Sequence, residues 1–172
     1  MTMEQHTGQQ KRLSAAAARA NLYALLFVMP IFVLYAVPYR MIWGRNLATA
    51  ALGVKWPHPL LLLLCLGAGI LLHELIHGLT WAFFCRSGLR SVRFGILWRS
   101  LTPYCHCTAP LKRWQYKTGA LMPALLLGLG PALYGLATGA LSALCFGFIF
   151  TLAGAGDFLI VWRLWKTGKH RP

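Results

Sequence analysis

The stretch LLLLLCLGAGILLHELIHGLTWAFFC, residues 60–85, decides how this chain is read. A helix of that length runs about 39 Å, enough to cross a hydrocarbon core of about 30 Å. Its interior nevertheless holds His73, Glu74 and His77. A charge at the centre of a bilayer costs about 2.5–3.5 kcal/mol on insertion scales, so a carboxylate there needs a partner or a task. Histidines at i and i+4 project from one helix face, where both imidazoles reach a single metal ion. The glutamate between them is then placed as a general base toward water activated by that ion. The pattern predicts a zinc hydrolase centre within a membrane helix, with His73 and His77 as ligands and Glu74 as the catalytic base.

The rest of the chain fits that setting. It is 58% hydrophobic and 12% charged, and 17 Lys and Arg stand against only three acids, for a net charge of +14. The basic residues are confined to segments between apolar runs, as in loops that face anionic lipid. No basic soluble domain is left to bind nucleic acid, so the bilayer is the expected partner. Five cysteines, at 65, 85, 105, 107 and 145, form no secreted framework. Cysteines in apolar runs behave as small hydrophobes, and no structural disulfide is expected. Basic residues precede the first apolar run without a small-residue cleavage site after it, which predicts an uncleaved first span.

Outward from residues 60–85, the apolar runs count to four spans. The first is 22–37, with Pro30 bending it, and the second is 60–85. From Gly119 to Trp162 the chain has one acid and no base over 44 residues, about 66 Å of helix, which requires two spans. The turn between them is expected at Gly135–Gly139, because a break at Gly128–Pro131 leaves the preceding helix too short. The fold expected is therefore an all-α membrane protein of four transmembrane helices over 22–165. A polar tail (1–21) and a basic tail (166–172) flank it. The N-terminal tail, the 86–118 segment and the C-terminal tail carry 3, 7 and 4 positive residues, against 3 in the 39–58 loop. This bias places both termini and the long segment in the cytoplasm.

That topology runs the second and fourth spans in the same direction. His77 then lies about 13 Å and Asp157 about 9 Å from the same membrane boundary. A catalytic zinc site takes three protein ligands and keeps one position open. Asp157 is the one remaining intramembrane acid and the expected third ligand. It follows Gly154, Ala155 and Gly156, small residues that permit close helix approach, with Gly67, Gly69 and Gly78 available to receive it.

In the 86–118 segment, Val92, Phe94, Ile96 and Trp98 alternate with Arg93, Gly95, Leu97 and Arg99. This period of two predicts a strand, and 103–108 a second, giving a small surface β-hairpin beside the site. An exposed strand edge draws a substrate peptide into extended form. His106 and Tyr104 are candidate transition-state or substrate contacts. Cys105, His106 and Cys107 lack the second cysteine pair of a structural zinc site. His58, between two prolines, reads as an interfacial loop residue. Tyr104, Trp98, Trp114 and Tyr116 fit a membrane-surface aromatic belt.

The strings HELIHG (73–78), GALMP (119–123) and GAGD (154–157) resemble a family of small bacterial membrane proteins, the putative zincin peptidases. Pro103, Tyr104 and Cys105, with Pro110, Leu111 and Tyr116, are similar to that family's middle loop. The resemblance spans roughly residues 60–165. It implies a zinc-dependent membrane peptidase, distantly like site-2 proteases, whose metal ligands correspond to His73, His77 and Asp157, with Glu74 between them. Site-2 proteases commonly carry an Asn-Pro-Asp-Gly type sequence at the distal acid, where this chain has Gly-Ala-Gly-Asp-Phe. The combined expectation is a zinc metallopeptidase of a bacterial plasma membrane, cutting a membrane-associated polypeptide near the cytoplasmic face. The alternative is a non-catalytic membrane metal-binding or scaffolding protein.

Overall fold

The computed structural model describes residues 26–52, 58–98 and 102–168. The polar tail expected at 1–21, and residues 169–172 of the basic tail, lie outside them. Helix α1 (Leu26–Trp43) precedes a short α2 (Leu47–Leu52) and the long α3 (Pro59–Phe84). A 3-10 turn (Gly88–Ser91) leads into β1 (Val92–Leu97) and β2 (Thr102–Cys107). Next come α4 (Arg113–Pro123), a π-helical turn (Ala124–Leu129), α5 (Gly130–Thr138), α6 (Leu141–Ala153) and α7 (Ala155–Gly168). Three helices are long and apolar enough to cross a membrane: α1, α3, and α4 through α5 taken as one. The pair α6–α7, bent by 45°, makes a fourth if it is one span. Only 11% of the apolar window in α3 is buried inside the protein, so its leucines require an apolar surround.

Two span boundaries differ from expectation. Helix α1 continues past Val37 and through Pro38 to Trp43. Tertiary contacts hold that extra turn, since Tyr39 is buried and the Trp43 indole N–H donates to the Leu136 carbonyl at 2.9 Å. The span expected from Gly119 starts at Arg113 instead, and its helix passes through the Gly128–Pro131 region as expected. Pro123 and Pro131 each lack an N–H, and the turn between them widens so that the Gly130 N–H reaches the Leu125 carbonyl, five residues back. The chain reverses at Gly139, whose φ of +74° is the left-handed conformation that glycine adopts without strain. This is the turn expected at 135–139. At the start of α3, His58 is an N-cap, its Nδ1 accepting the Leu60 N–H at 3.3 Å.

The helices pack through small residues. Ile31, Tyr35 and Tyr39 of α1 form a core with Ala132, Leu141 and Leu144. Tyr35 and Thr151 share a hydroxyl hydrogen bond of 2.6 Å. A Cβ on Gly128 would strike the Thr151 hydroxyl, so α6 lies close against the π turn. The fully buried Phe150 of α6 fills the space a side chain at Gly69 would need, one helical turn before His73.

The hairpin pairs antiparallel, from Val92 opposite Cys107 to Leu97 opposite Thr102, as the period-two pattern requires. The Thr108 N–H donates to Ser91 at 2.8 Å, which sets the phase of the ladder. Arg93–His106 and Gly95–Tyr104 are then the bonded pairs, while Val92, Phe94, Ile96 and Cys105 direct their backbone groups away from the ladder. Phe94 and Cys105 seat the inner face on α3 at Gly78, where any side chain would overlap the Phe94 ring.

The fourth span is two helices. At Gly154 the chain bends, and α7 starts afresh with Asp157 in its first turn. The approach expected between the Gly-Ala-Gly segment and the glycines of α3 is replaced by another. Gly67 and Gly156 meet nothing, Gly69 and Gly78 are taken by Phe150 and the hairpin, and Gly154 abuts Ala124 instead. Helix α7 packs mainly on α4 and touches α3 through its carboxylate.

Candidate metal centre

Helix α3 sets the first part of the centre. One turn separates His73 from His77, and their rings meet edge to face with centroids 4.9 Å apart. Both are buried, at 7% and 4% exposure, in a helix most of whose surface is open. Ligand atoms of His73, Glu74 and His77 all lie within 4.8 Å of one another. From α7, Asp157 Oδ2 comes to 3.3 Å from His73 Nε2 and 3.4 Å from His77 Nε2. These separations test whether zinc fits. Ligands held 2.0–2.1 Å from a tetrahedral ion stand about 3.3 Å apart, so two imidazoles and a carboxylate at this spacing suit one ion.

The second layer fixes His77. Its Nδ1–H donates to the Gly119 carbonyl at 2.8 Å, leaving Nε2 with the lone pair toward Asp157. Trp81, four residues on, stacks on the His77 ring at 5.2 Å and 14°. Tyr116 stacks on Trp81 in turn, at 5.2 Å and 19°, and its carbonyl accepts the indole N–H at 3.2 Å. A Cβ on Gly119 would overlap that indole, so α4 comes this close only with glycine there. His73 lacks such an anchor, its buried Nδ1 having no hydrogen-bond partner among the described residues.

Glu74 faces the other way along the same turn. The Cys105 N–H donates to its carboxylate, joining the hairpin to α3. Beside it lies a cavity of about 430 Å³ lined by Leu71, Leu75, Phe94, Ile96, Pro103 and Tyr104. Thus Glu74 touches both the ligand cluster and an apolar groove between α3 and the hairpin.

The structure brings together His73, Glu74, His77 and Asp157. Tyr104 borders the cavity, but its ring lies over Gly95 on the strand face opposite the one that Phe94 and Cys105 set on α3. The structure does not bring His106 to the cluster. The alternation that makes 102–107 a strand turns Cys105 and Cys107 toward α3 and the exposed His106 away from it. Tyr116 belongs to the stack behind His77, whereas Trp98 and Trp114 are exposed as a surface belt requires. Trp81 and Gly119 were not among the residues expected at the site. Trp81 follows His77 at i+4, a legible spacing, but Gly119 acts through its carbonyl from 42 residues away.

A helical protein with an HExxH pair buried in a helix long and apolar enough to cross a membrane, and an acid from another helix upon it, has the design of a zincin. Over residues 66–171 the chain matches the family described as putative zincin peptidase, and it belongs to that family. No curated protein and no solved structure matches it.

Proposed function

We propose that this protein is a zinc-dependent metallopeptidase of a bacterial plasma membrane, hydrolysing a peptide bond of a membrane-associated polypeptide near the cytoplasmic face. The observation that carries this reading is the meeting of Asp157 Oδ2 with the Nε2 atoms of both histidines. His73, His77 and Asp157 would hold the ion, with Gly119 and Trp81 fixing the His77 ring. Zinc there supplies a Lewis acid that polarises a carbonyl oxygen and acidifies water. The Glu74 carboxylate, steadied by the Cys105 N–H, takes the proton released as water adds to the carbonyl and returns it to the departing amine nitrogen. The apolar walls of the adjoining open groove suit hydrophobic side chains. The outward backbone groups of Val92, Phe94 and Ile96 suit an extended peptide, which a helical substrate must become before attack.

The test combines metal content with cleavage. Purified parent protein is expected to carry about one zinc per chain, Asp157→Ala to lose it, and Glu74→Gln to keep it. Comparison of membrane proteomes expressing the parent or Glu74→Gln is expected to show fragments with the parent alone. Zinc retained by Asp157→Ala removes that residue from the site. Zinc without parent-specific fragments favours the non-catalytic metal-binding alternative.

A further inference from the structure

Outside the metal centre, Cys85 and Cys107 form a second cluster of reactive groups. Cys85 caps the C-terminus of α3 and Cys107 ends β2, 22 residues apart in sequence, yet their sulfurs lie 3.5 Å apart. The approach is built in. Thr108, next to Cys107, donates both its N–H and its hydroxyl to the Ser91 carbonyl, at 2.8 and 2.9 Å. Ser91 is buried and its hydroxyl contacts that of Ser87, two residues beyond Cys85. The short 3-10 turn thus fixes both ends of the segment that carries the thiols. Val92, opposite Cys107 in the ladder, is buried as well.

We propose that Cys85 and Cys107 are a reversible disulfide site that latches the hairpin to the catalytic helix when a low-molecular-weight disulfide oxidises it. Burial, with the Cys85 thiol beside it, holds the Cys107 thiol above the ordinary cysteine range. The two sulfurs are in hydrogen-bonding contact, and either can be the donor. In the first exchange, one of these thiols loses its proton and attacks the external disulfide, expelling one small thiol. In the second, the other protein sulfur displaces the remaining small thiol and the S–S bond closes. Two protons and two electrons leave the protein and appear as two small-molecule thiols. The sulfurs must approach by about 1.5 Å to reach bonding distance, which side-chain rotation supplies. The ring so closed contains the whole hairpin, including Cys105, whose N–H holds Glu74. Oxidation therefore restrains the groove between hairpin and α3 from opening. Cys105 is the natural competitor, since it shares a strand face with Cys107, but its sulfur is directed onto Gly78.

The experiment uses the full chain in lipid nanodiscs, fully reduced, then incubated with oxidised glutathione, alkylated and digested without reductant. Cys85 and Cys107 are expected to disappear together and to be recovered as one cross-linked peptide pair. Amide exchange across 92–107 is expected to slow several-fold and to recover on adding dithiothreitol. Cys85→Ser removes both effects, and the parent's peptide map stands even if that variant folds poorly. The proposal is overturned by separate glutathione adducts, by linkage to Cys105 or between chains, by unmodified thiols, or by cross-linking that leaves hairpin exchange unchanged. None of these outcomes depends on zinc or on proteolysis, so failure here is separable from failure of the function proposed above.

Discussion

His77 shows how little of a site is its ligands alone. Its ring is held on one edge by the Gly119 carbonyl and on one face by Trp81, so Nε2 has a single direction left. Gly119→Ala places a methyl group where the indole lies and displaces acceptor and stack together. Partners of this kind are worth about 10–100-fold in metal affinity. A loss of that size is expected for Gly119→Ala in zinc competition against a chromophoric chelator. Trp81→Phe, which keeps a stacking face and loses only the N–H to Tyr116, is expected to lose less. A second prediction concerns Cys105. Burial, then the Glu74 carboxylate, then the neighbouring Cys107 push its thiol up to about 12. Only the thiolate is alkylated, so Cys105 stays far less reactive at pH 9 than an ordinary exposed thiol. Mass-resolved iodoacetamide labelling between pH 7 and 10 is expected to leave Cys105 last of Cys85, Cys105 and Cys107. At this scale the sequence was a good guide to which side chains meet wherever helical spacing sets the meeting. His73, Glu74 and His77 declared themselves at i, i+1 and i+4, and Asp157 by being an acid with nowhere else to go. Gly119 was hidden because a carbonyl carries no side-chain signature. His106 misled because strand alternation, not chemistry, chooses its face.

Elements tell a similar story. The hairpin was legible from its period of two, since only that pattern sets one face on α3 and the other outward. The bend at Gly154 and the π turn were not legible, because hydropathy reports how apolar a run is and not whether its hydrogen-bond ladder is regular. Yet the bend positions the site, because it starts a new helix with Asp157 in the first turn. The fit of hairpin to helix depends on Gly78, where an added Cβ overlaps the Phe94 ring and lies 3.1 Å from the Cys105 sulfur. Gly78→Val must lift the hairpin, and overpacking of this kind costs about 1–3 kcal/mol. Faster amide exchange across 92–107 is expected, with zinc content unchanged, since both histidines and Asp157 are untouched. The ladder phase also separates two proline variants. Ile96→Pro removes an outward N–H and spares the ladder, whereas Gly95→Pro removes a ladder bond. Cleavage is expected to fall for Ile96→Pro with the hairpin intact, and undiminished cleavage would exclude strand pairing at β1.

For the whole molecule, the question is whether α6 and α7 cross the membrane or turn back within it. Two contacts at opposite ends decide. Gly139, just before α6, packs against Trp43 at the end of α1, so α6 begins on the side of the 39–58 loop. Ile160 and Leu164 of α7 line a cavity of about 320 Å³ with Cys107, Ala109, Leu111 and Arg113, so α7 ends on the side of the hairpin segment. A helix pair that starts at one end of the bundle and finishes at the other is expected to cross, with the 45° bend as an interruption within it. Broken helices of this sort are tolerated where neighbours satisfy the freed backbone, and here the Gly154 N–H still reaches Phe150 and its carbonyl accepts from Phe158. Four crossings would put the end of α7, the 86–118 segment and the start of α1 on one side, the side to which the sequence count assigns 14 of the 17 basic residues. A reporter that matures only in the cytoplasm is therefore expected to be active when fused after Pro172 or inserted between Arg99 and Ser100. A reporter that folds only outside is expected to be active when inserted at Gly139. Activity of the outside reporter at the C-terminus would make α6–α7 re-entrant. It would also reverse the depth of Asp157 relative to His77, and with it the geometry on which three ligands for one ion depend.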